Sequence, residues 1–178
     1  MLFRSSGSTV NIGGMPEADM RQAMEKAGMS VGPNFTVGAN QSVLVLGQGI
    51  TLGAGGKIVV DANVTPDGKV NGTDVEQAHF GKDSLLVVNG TNINGTIAAL
   101  TLSAPSTEFT VQNGAKLLIS GAQNGKTYTV IANGSGTSAF NDSGYDDSTA
   151  DGWKGSNLLT SSDMVTLTSG DGMTFTAG

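Results

Sequence analysis

The sequence predicts an all-β chain built as a parallel β-helix, or solenoid, with one short helix near its start. Short apolar runs recur from residue 35 onward, at spacings of roughly eight to twelve residues. Gly, Asn or Asp stands at many of the joints between them, and weakly similar units return along the chain, which is typical of stacked repeats. A β-sandwich is the alternative fold, because residues 164–176 alternate apolar and polar side chains across a Gly-rich turn.

The composition is that of a β protein with many tight turns. Gly, Ser, Thr and Asn together supply 76 of the 178 residues, and only 13% of the residues are charged. Gly and Asn accept the positive φ of turns, while Thr and Val suit pleated surfaces. The formal net charge is −6 and the only arginines are Arg4 and Arg21, so the basic footprint that nucleic-acid binding needs is missing.

One segment, residues 15–29, is predicted to be a helix. Pro16 suits its first turn, and Gly28 suits its end. One face carries, at positions i, i+3, i+4 and i+7, Met20, Ala23, Met24 and Ala27. This Met/Ala stripe would suit a partner helix, but a helix laid against the end or side of the β body is the favoured interpretation. We therefore expect an N-terminal segment, 1–34, acting as cap or linker, and a β-solenoid domain, 35–178.

The predicted strands are short apolar runs. They begin at residues 35, 43, 50, 58, 85, 97, 109, 117, 128, 164 and 173. Two units that contain such runs share a cadence, with Phe-Thr-Val at the start, Leu at the tenth place and Gly at the end; they are residues 35–47 and 109–121. We expect Phe35 and Phe109 to begin equivalent stacked strands about three coils apart, each unit ending in a glycine corner. This alignment places Val43 against Leu117.

Three stretches and a tryptophan carry a resemblance to a known family. In chain order they are Ala-His-Phe-Gly-Lys-Asp-Ser-Leu-Leu-Val-Val at 78–88, Gly-Ala-Lys-Leu at 114–117, Gly-Lys-Thr-Tyr-Thr-Val-Ile at 125–131, and Trp153 followed by Asn157-Leu158. Residues 35–178 thereby resemble the passenger regions of bacterial autotransporter adhesins of type V secretion. The resemblance implies a right-handed parallel β-helix, exposed at the cell surface or released from it, with an adhesive function.

The first residues lack the apolar region of a signal peptide, and no apolar stretch reaches 18 residues. The chain contains no cysteine, which is expected of a protein that crosses the outer membrane unfolded and should avoid disulfides in the oxidising periplasm. Either the chain is cytoplasmic or it is a fragment of a longer exported protein; we favour the second interpretation, with the chain located at the cell surface or outside the cell. We expect no membrane insertion of this segment.

Two acidic stretches are candidates for binding a cation. The first aligns with a calcium loop through Asn63, Thr65, Asp67, Gly68, Val70, Asn71 and Asp74. Only two of these residues are carboxylates, so a polar Asp-Gly turn is favoured and no metal site is assigned. The second stretch contains Asp142, Asp146, Asp147 and Asp151. It would suit a cation or a basic partner, but a surface loop is the favoured interpretation.

The residue types of a catalytic site are scarce. His79 is the only histidine, and we interpret it as a packed or capping residue rather than a general base. From residue 35 onward there is no arginine, and the lysines stand singly at 57, 69, 82, 116, 126 and 154. No nucleophile elbow in a supporting context, phosphate loop or zinc spacing occurs. We therefore predict no enzymatic activity, no catalytic residue and no cofactor.

Eight Asn-x-Ser/Thr sequences occur, at residues 34, 40, 63, 71, 89, 94, 133 and 141. Glycosylation of a surface adhesin is one interpretation. The favoured interpretation is a corner turn with Asn at positive φ and Thr beginning the next strand, because three of the eight are the same Asn-Gly-Thr.

Two functions fit these features. The first is a structural and adhesive module that binds surface glycans, host-cell or neighbouring-cell proteins, or copies of itself through many weak contacts. The alternative is a carbohydrate-binding or polysaccharide-processing β-helix resembling a phage tail fibre. That alternative needs paired carboxylates and aromatic platforms, and the only Trp and Tyr residues are Trp153, Tyr128 and Tyr145.

Overall fold

The structure is a computed structural model, and it describes residues 2–3, 7–53, 55–62, 76–103, 107–133, 153–162, 164–169 and 174–178. These residues form fifteen β-strands, one α-helix of ten residues and two 3-10 helices. The strands are β1 (Leu2–Phe3), β2 (Thr9–Ile12), β3 (Ser42–Leu46), β4 (Ile50–Leu52), β5 (Lys57–Val60), β6 (Glu76–Phe80), β7 (Ser84–Asn89), β8 (Leu100–Leu102), β9 (Thr107–Val111), β10 (Lys116–Ser120), β11 (Thr127–Thr129), β12 (Ile131–Asn133), β13 (Leu158–Thr160), β14 (Leu167–Ser169) and β15 (Thr174–Ala177). The helices are α1 (Glu17–Lys26) and the 3-10 turns Pro33–Phe35 and Gly155–Asn157. The chain is therefore mostly β, and no helix among the described residues is long and apolar enough to cross a membrane.

The strands form four small sheets. The five-stranded sheet has the order β13-β10-β7-β3-β2, the four-stranded sheet β1-β5-β6-β9, and the three-stranded parallel sheet β12-β8-β4. Every pairing in these three sheets is parallel, whereas the fourth sheet, β11-β15-β14, is antiparallel. A sandwich assembled from hairpins would pair its strands antiparallel, so the parallel sheets disagree with the sandwich alternative.

Two runs of three strands pass through the three parallel sheets in the same order. Strands β3, β4 and β5 belong in turn to the five-stranded, the three-stranded parallel and the four-stranded sheet, and β7, β8 and β9 repeat that order. Strand β7 pairs with β3, β8 with β4, and β9 with β6. Strands from separate passes of the chain therefore lie side by side.

The register of the five-stranded sheet differs by one residue from the predicted alignment. Leu44 pairs with Leu86, and Leu86 pairs with Leu117, so Leu117 is in line with Leu44 and not with Val43. Strands β3 and β10 are also separated by β7 alone, which is two steps and not three coils. Because successive side chains point to opposite faces of a strand, a one-residue error exchanges the two faces.

Phe35 does not begin a strand, contrary to the prediction from the Phe-Thr-Val repeat. It ends a 3-10 helix with a φ of 56°, and the guanidinium of Arg21 lies 4.8 Å from its ring centroid. Phe109 lies inside β9 and is 2% exposed. The two phenylalanines are not equivalent, but Gly47 and Gly121 each directly follow a strand of the five-stranded sheet, as the cadence predicted.

Two apolar clusters lie on the two faces of the five-stranded sheet. The interior cluster gathers residues from all four sheets, and from this sheet it takes Leu44, Leu46, Leu86, Val88, Leu117 and Ile119. The helix-side cluster takes alternate residues of the same strands, namely Val43, Val45, Leu85, Val87 and Leu118. All of these side chains are at most 1% exposed. A parallel sheet buried on both faces is built from continuous apolar runs, which explains why its strands show no alternation in the sequence.

Helix α1, with the residues just before and after it, completes the helix-side cluster. It contacts β7, β10 and β13, so it lies on the side of the β body. Its predicted stripe is at most 4% exposed and consists of Met20, Ala23, Met24 and Ala27. Gly28 follows the helix end with a φ of 81°, the left-handed conformation that glycine adopts most readily. The Nζ of Lys116 donates a hydrogen bond to the Ala27 carbonyl at 2.8 Å, which ties the helix end to β10.

Strands β1, β2, β6 and β13 were not predicted. Strand β6 carries Glu, Gln and His, which conceal its pattern, while β2 lies within the segment 1–34. Because β2 pairs with β3, residues 9–12 belong to the same sheet as residues 42–46. The alternation predicted near the C-terminus is found in the antiparallel pair β14–β15, whose Leu167 and Phe175 both contact the interior cluster.

Candidate functional site

Trp153, the leading candidate for a carbohydrate platform, is buried. It is 1% exposed, and its ring centroid lies 5.1 Å from that of Phe80, 6.2 Å from Phe109 and 6.4 Å from Phe175. These three rings belong to β6, β9 and β15, and the distances are those of ordinary packed aromatic pairs. Trp153 therefore stabilises the interior and does not provide the exposed ring that the carbohydrate-binding alternative needs.

Tyr128 is also buried. It is 3% exposed, and its hydroxyl accepts a hydrogen bond from the backbone N–H of Gln123 at 2.8 Å. Tyr145 lies outside the described residues. In the part of the chain that the structure describes, no Trp or Tyr ring is exposed as a platform for a sugar.

His79 is buried on the outer face of the four-stranded sheet. Its neighbours Ala78 and Phe80 belong to the interior cluster, so His79 points to the opposite face. Its Nε2 lies 2.8 Å from Oδ2 of Asp61, and the two side chains are 1% and 10% exposed. Gly81 permits this arrangement, since a Cβ there would lie 2.5 Å from Cγ of Asp61. The imidazole is closed off from solvent and held by a carboxylate, which favours a packed role over that of an accessible general base.

Both predicted cation loops, residues 63–74 and 142–151, lie outside the described residues. Within the described ranges, no group of three or more His, Cys, Asp or Glu side chains could hold a metal ion. The structure therefore provides no geometry for either loop.

The five-stranded sheet is flanked by two clefts, one at each end of its strands. The amino-end cleft lies where β7 and β10 begin and has a volume of about 330 Å³. Its polar lining includes Gln41, Lys82, Asp83, Ser84, Asn113 and Lys116. Amide, hydroxyl, ammonium and carboxylate groups therefore face one space, a set that complements polar ligands of either charge.

The carboxyl-end cleft lies where β7 and β10 end and has a volume of about 310 Å³. Its lining includes Thr91, Ile93, Asn94, Gln123, Lys126 and Thr127. This cleft carries hydroxyl and amide groups with a single ammonium, and it lies beside the corners that Gly90 and Gly121 make.

The described Asn-Gly-Thr sequences are turns, but not of the predicted kind. The Oδ1 of Asn89 accepts hydrogen bonds from the backbone N–H and the hydroxyl of Thr91, at 3.0 and 2.7 Å. The Oδ1 of Asn94 accepts the same two bonds from Thr96, both at 2.8 Å. The asparagine side chain thus closes each turn itself. Among the described non-glycine residues, positive φ occurs only at residues 34 and 35, and neither threonine begins a strand, so both details of the prediction are wrong.

Sequence reasoning did not identify either cleft, because the lining residues look like ordinary turn residues. Only the pairing of β3, β7 and β10 brings together the connecting segments at the ends of these strands. The positions of two lining residues relative to the strands were a signal. Lys82 stands two residues before the strand that begins at Ser84, and Asn113 stands three residues before the strand that begins at Lys116. Reading that signal requires the register, which the sequence did not supply correctly.

Comparison with known proteins adds no assignment to these features. No protein-family model, no curated protein and no solved structure matches the chain. Any function proposed for the chain rests on its own geometry.

Proposed function

We propose that this chain is a structural and adhesive segment of a surface-exposed autotransporter passenger, folded as a right-handed parallel β-helix. The segment extends the passenger away from the cell and contacts surface glycans, host-cell or neighbouring-cell proteins, or copies of itself. It catalyses no reaction, holds no cofactor, and lies at the cell surface or outside the cell. The observation that carries this proposal is the order in which the strands enter the sheets.

Strands β3, β4 and β5, and then β7, β8 and β9, enter the same three parallel sheets in the same order. A chain that repeatedly passes through three sheets, always parallel to its other passes, winds as a solenoid. Parallel crossovers are right-handed in almost all proteins, which supports that hand here. Each added pass lengthens such a rod by about 4.8 Å without changing its cross-section, and this suits a protein whose work is to extend.

Two steps depart from simple winding, from β5 to β6 and from β2 to β3. Strand β6 follows β5 directly in the chain, yet the two are parallel neighbours in the four-stranded sheet. Parallel neighbours need a connection of about a dozen residues or more, and residues 61–75 supply it. Strands β2 and β3 are likewise parallel neighbours, joined through residues 13–41, and the order of sheets resumes with β7 and β8 after β6.

The interior supports the same proposal. Leu44, Leu86, Leu117 and Leu158 occupy successive positions of one ladder across four strands. Stacked apolar columns of this kind stabilise a rod along its length, because each residue is covered by its counterparts in the neighbouring strands. In this arrangement ligands are contacted outside the core, and the two clefts are the described sites for that contact.

The clefts fit an adhesive role because their polar groups complement glycan hydroxyls and peptide surfaces. Contacts of this kind are individually weak and gain strength when many copies act together on one surface. The carbohydrate-processing alternative receives no support from the described aromatic residues, since Trp153 and Tyr128 are buried.

Location provides the first test. Antibodies raised against the folded chain should label intact cells of the bacterium that produces it, and protease added outside the cells should remove the label. A label that appears only after lysis would contradict the surface proposal.

Adhesion provides the second test. Beads coated with the chain should bind epithelial cells, cells of the producing bacterium or an array of glycans. Lys82→Gln alters the amino-end cleft and Lys126→Gln the carboxyl-end cleft, while Lys154→Gln makes the same charge change at an exposed position outside both. Because the contacts are distributed, each cleft variant should lower bead binding by less than about threefold, with a larger loss in the double variant. Complete loss from one substitution, or no binding by the unmodified chain, would refute the distributed adhesive function.

A further inference from the structure

Six asparagines in the chain are followed directly by glycine, and in four of these pairs both residues are described. The four are Asn89-Gly90, Asn94-Gly95, Asn113-Gly114 and Asn124-Gly125. In an Asn-Gly pair the glycine nitrogen can attack the side-chain amide carbon of asparagine, because glycine has no side chain to hinder the approach and little restriction on its backbone. The local chemistry of the four pairs is the same, so the fold decides which of them reacts.

The fold engages the attacking nitrogen in two of the pairs. The N–H of Gly90 donates to the carbonyl of Ser120 at 2.7 Å, and the N–H of Gly125 donates to that of Ala177 at 2.7 Å. A nitrogen held this way can neither lose its proton nor turn toward the asparagine side chain without breaking a backbone hydrogen bond. Within the described residues, the N–H groups of Gly95 and Gly114 have no hydrogen-bond acceptor.

The fold also polarises the amide that is attacked, and it does so most strongly at Asn94. Its Oδ1 accepts three hydrogen bonds, each at 2.8 Å, from the backbone N–H and the hydroxyl of Thr96 and from the backbone N–H of Ile97. Three donors at this distance stabilise the negative charge that develops on the oxygen when a nucleophile adds to the amide carbon. All three donors come from a single turn.

Of the four described pairs, only one combines a glycine N–H that has no acceptor with an asparagine Oδ1 that accepts hydrogen bonds. Asn89 has two donors on Oδ1, but its neighbouring nitrogen is engaged. At Asn113 the neighbouring nitrogen is available, but among the described residues Oδ1 has no donor. Asn124 has neither condition. Asn94 alone joins an available nucleophile to a polarised amide.

We propose that Asn94 is a site of self-catalysed covalent modification. The nitrogen of Gly95 adds to Cγ of Asn94 and forms a carbon–nitrogen bond, the carbon–nitrogen bond to the side-chain amide breaks, and ammonia leaves with the proton that the nitrogen loses. The product is a five-membered succinimide. Water then opens the ring at either carbonyl and leaves aspartate or isoaspartate at position 94, with no oxidant, reductant or cofactor involved.

The modification would change the carboxyl-end cleft, because Asn94 and Lys126 both line it. A neutral amide becomes a carboxylate in a space that already holds an ammonium group. In the isoaspartate product the main chain also runs through the former side chain, and this lengthens the turn by one carbon. The contact properties of the cleft therefore change with the age of the protein.

Peptide mapping by mass spectrometry tests the proposal. The folded full chain is incubated in mildly alkaline buffer, and the replacement of amide NH2 by OH is followed at each asparagine, with a matched sample in denaturant. In the folded chain Asn94 should react about tenfold or more faster than Asn89 and Asn124, a difference of at least about 1.4 kcal/mol in activation free energy, with Asn113 between them. In denaturant the four rates should converge. Asn94 reacting no faster than Asn89, or more slowly than Asn113, would overturn the proposal.

Two variants separate the nucleophile from the polarised amide. Gly95→Ala is tolerated by the fold, because a Cβ there meets nothing within 4 Å and the backbone is not left-handed, and it should slow the reaction at Asn94 in both the folded and the denatured chain. Thr96→Val removes one donor to Oδ1 and leaves the Asn-Gly pair intact. This variant should slow the reaction at Asn94 in the folded chain by about threefold to tenfold and leave the rate in the denatured chain unchanged. An unchanged rate in folded Thr96→Val would refute the role of the donors.

Discussion

Leu86 offers the sharpest test of the stacked interior. It lies in β7, is fully buried, and pairs in register with Leu44 on one side and Leu117 on the other. Replacing Leu86 by Ala removes three carbon atoms from the middle of this column. Because the neighbouring strands are held by backbone pairing on both sides, the column cannot close over the space that is left.

The expected cost follows from burial. Loss of three buried carbons at about 0.8 kcal/mol each removes about 2.4 kcal/mol of transfer free energy. The cavity that remains adds to this, and buried Leu→Ala substitutions span about 2–5 kcal/mol. Since collapse is hindered at this position, we expect the free energy of unfolding to fall by about 3–4 kcal/mol.

The measurement is urea unfolding followed by the fluorescence of Trp153, with far-UV circular dichroism as a second probe. Trp153 is the only tryptophan and is 1% exposed, so its emission reports loss of the interior without an introduced label. Thr101→Ala is the matched control, because Thr101 is half-buried and also pairs with a strand on each side, at Thr51 and Ala132. Thr101→Ala should lower the free energy of unfolding by less than about 1 kcal/mol.

A loss below about 1 kcal/mol for Leu86→Ala would refute the reasoning, because no fully buried and enclosed leucine is expected to be so tolerant. Equal losses of unfolding free energy in Leu86→Ala and Thr101→Ala would also contradict the reasoning, since the fully buried leucine would then contribute no more than the half-buried threonine. Coincidence of the fluorescence and dichroism transitions is required for either conclusion.

Two further predictions concern residues whose roles the structure changed. Trp153→Ala should lower the free energy of unfolding by about 3–5 kcal/mol, and Trp153→Phe should lower it less, both followed by circular dichroism; a Trp153→Ala variant that lost glycan binding at unchanged stability would instead support a ligand platform. Asp61→Ala should destabilise the chain by about 3 kcal/mol or more, because it leaves the buried imidazole of His79 without its carboxylate partner, and Asp61→Asn should restore much of the loss by keeping a hydrogen bond. An Asp61→Ala variant as stable as the unmodified chain in urea unfolding would show that the pairing with His79 contributes nothing.

The local chemistry of the chain was sufficient to predict several elements. The Met/Ala stripe at period 3.6 and the glycine after it predicted α1 and its end, and the apolar run at 85–88 predicted most of β7. Gly47 and Gly121 were correctly expected at corners. Each of these depends on interactions within a few residues, which is the range over which side-chain type decides conformation.

Burial and contact could not be predicted in the same way. The burial of Trp153 could not be predicted from its neighbours in sequence, which are polar or glycine, because its neighbours in space are three phenylalanines from distant strands. The clefts likewise form only when the joints before and after β7 and β10 are brought together.

The register of the five-stranded sheet shows where prediction from local sequence ends and tertiary packing decides the structure. The runs at 43–46, 85–88 and 117–119 are apolar at every position because both faces of the sheet are buried there, so nothing in the alternation of residues distinguishes Val43, on the helix side, from Leu44, which faces the interior. A shift of one residue is nearly neutral for local propensity but exchanges the two faces. Sequence alone determined that the apolar runs of β3, β7 and β10 are strands and that Gly47 and Gly121 follow β3 and β10, while tertiary packing decided which face each side chain occupies, because only the fit between separate passes of the chain distinguishes one register from the next.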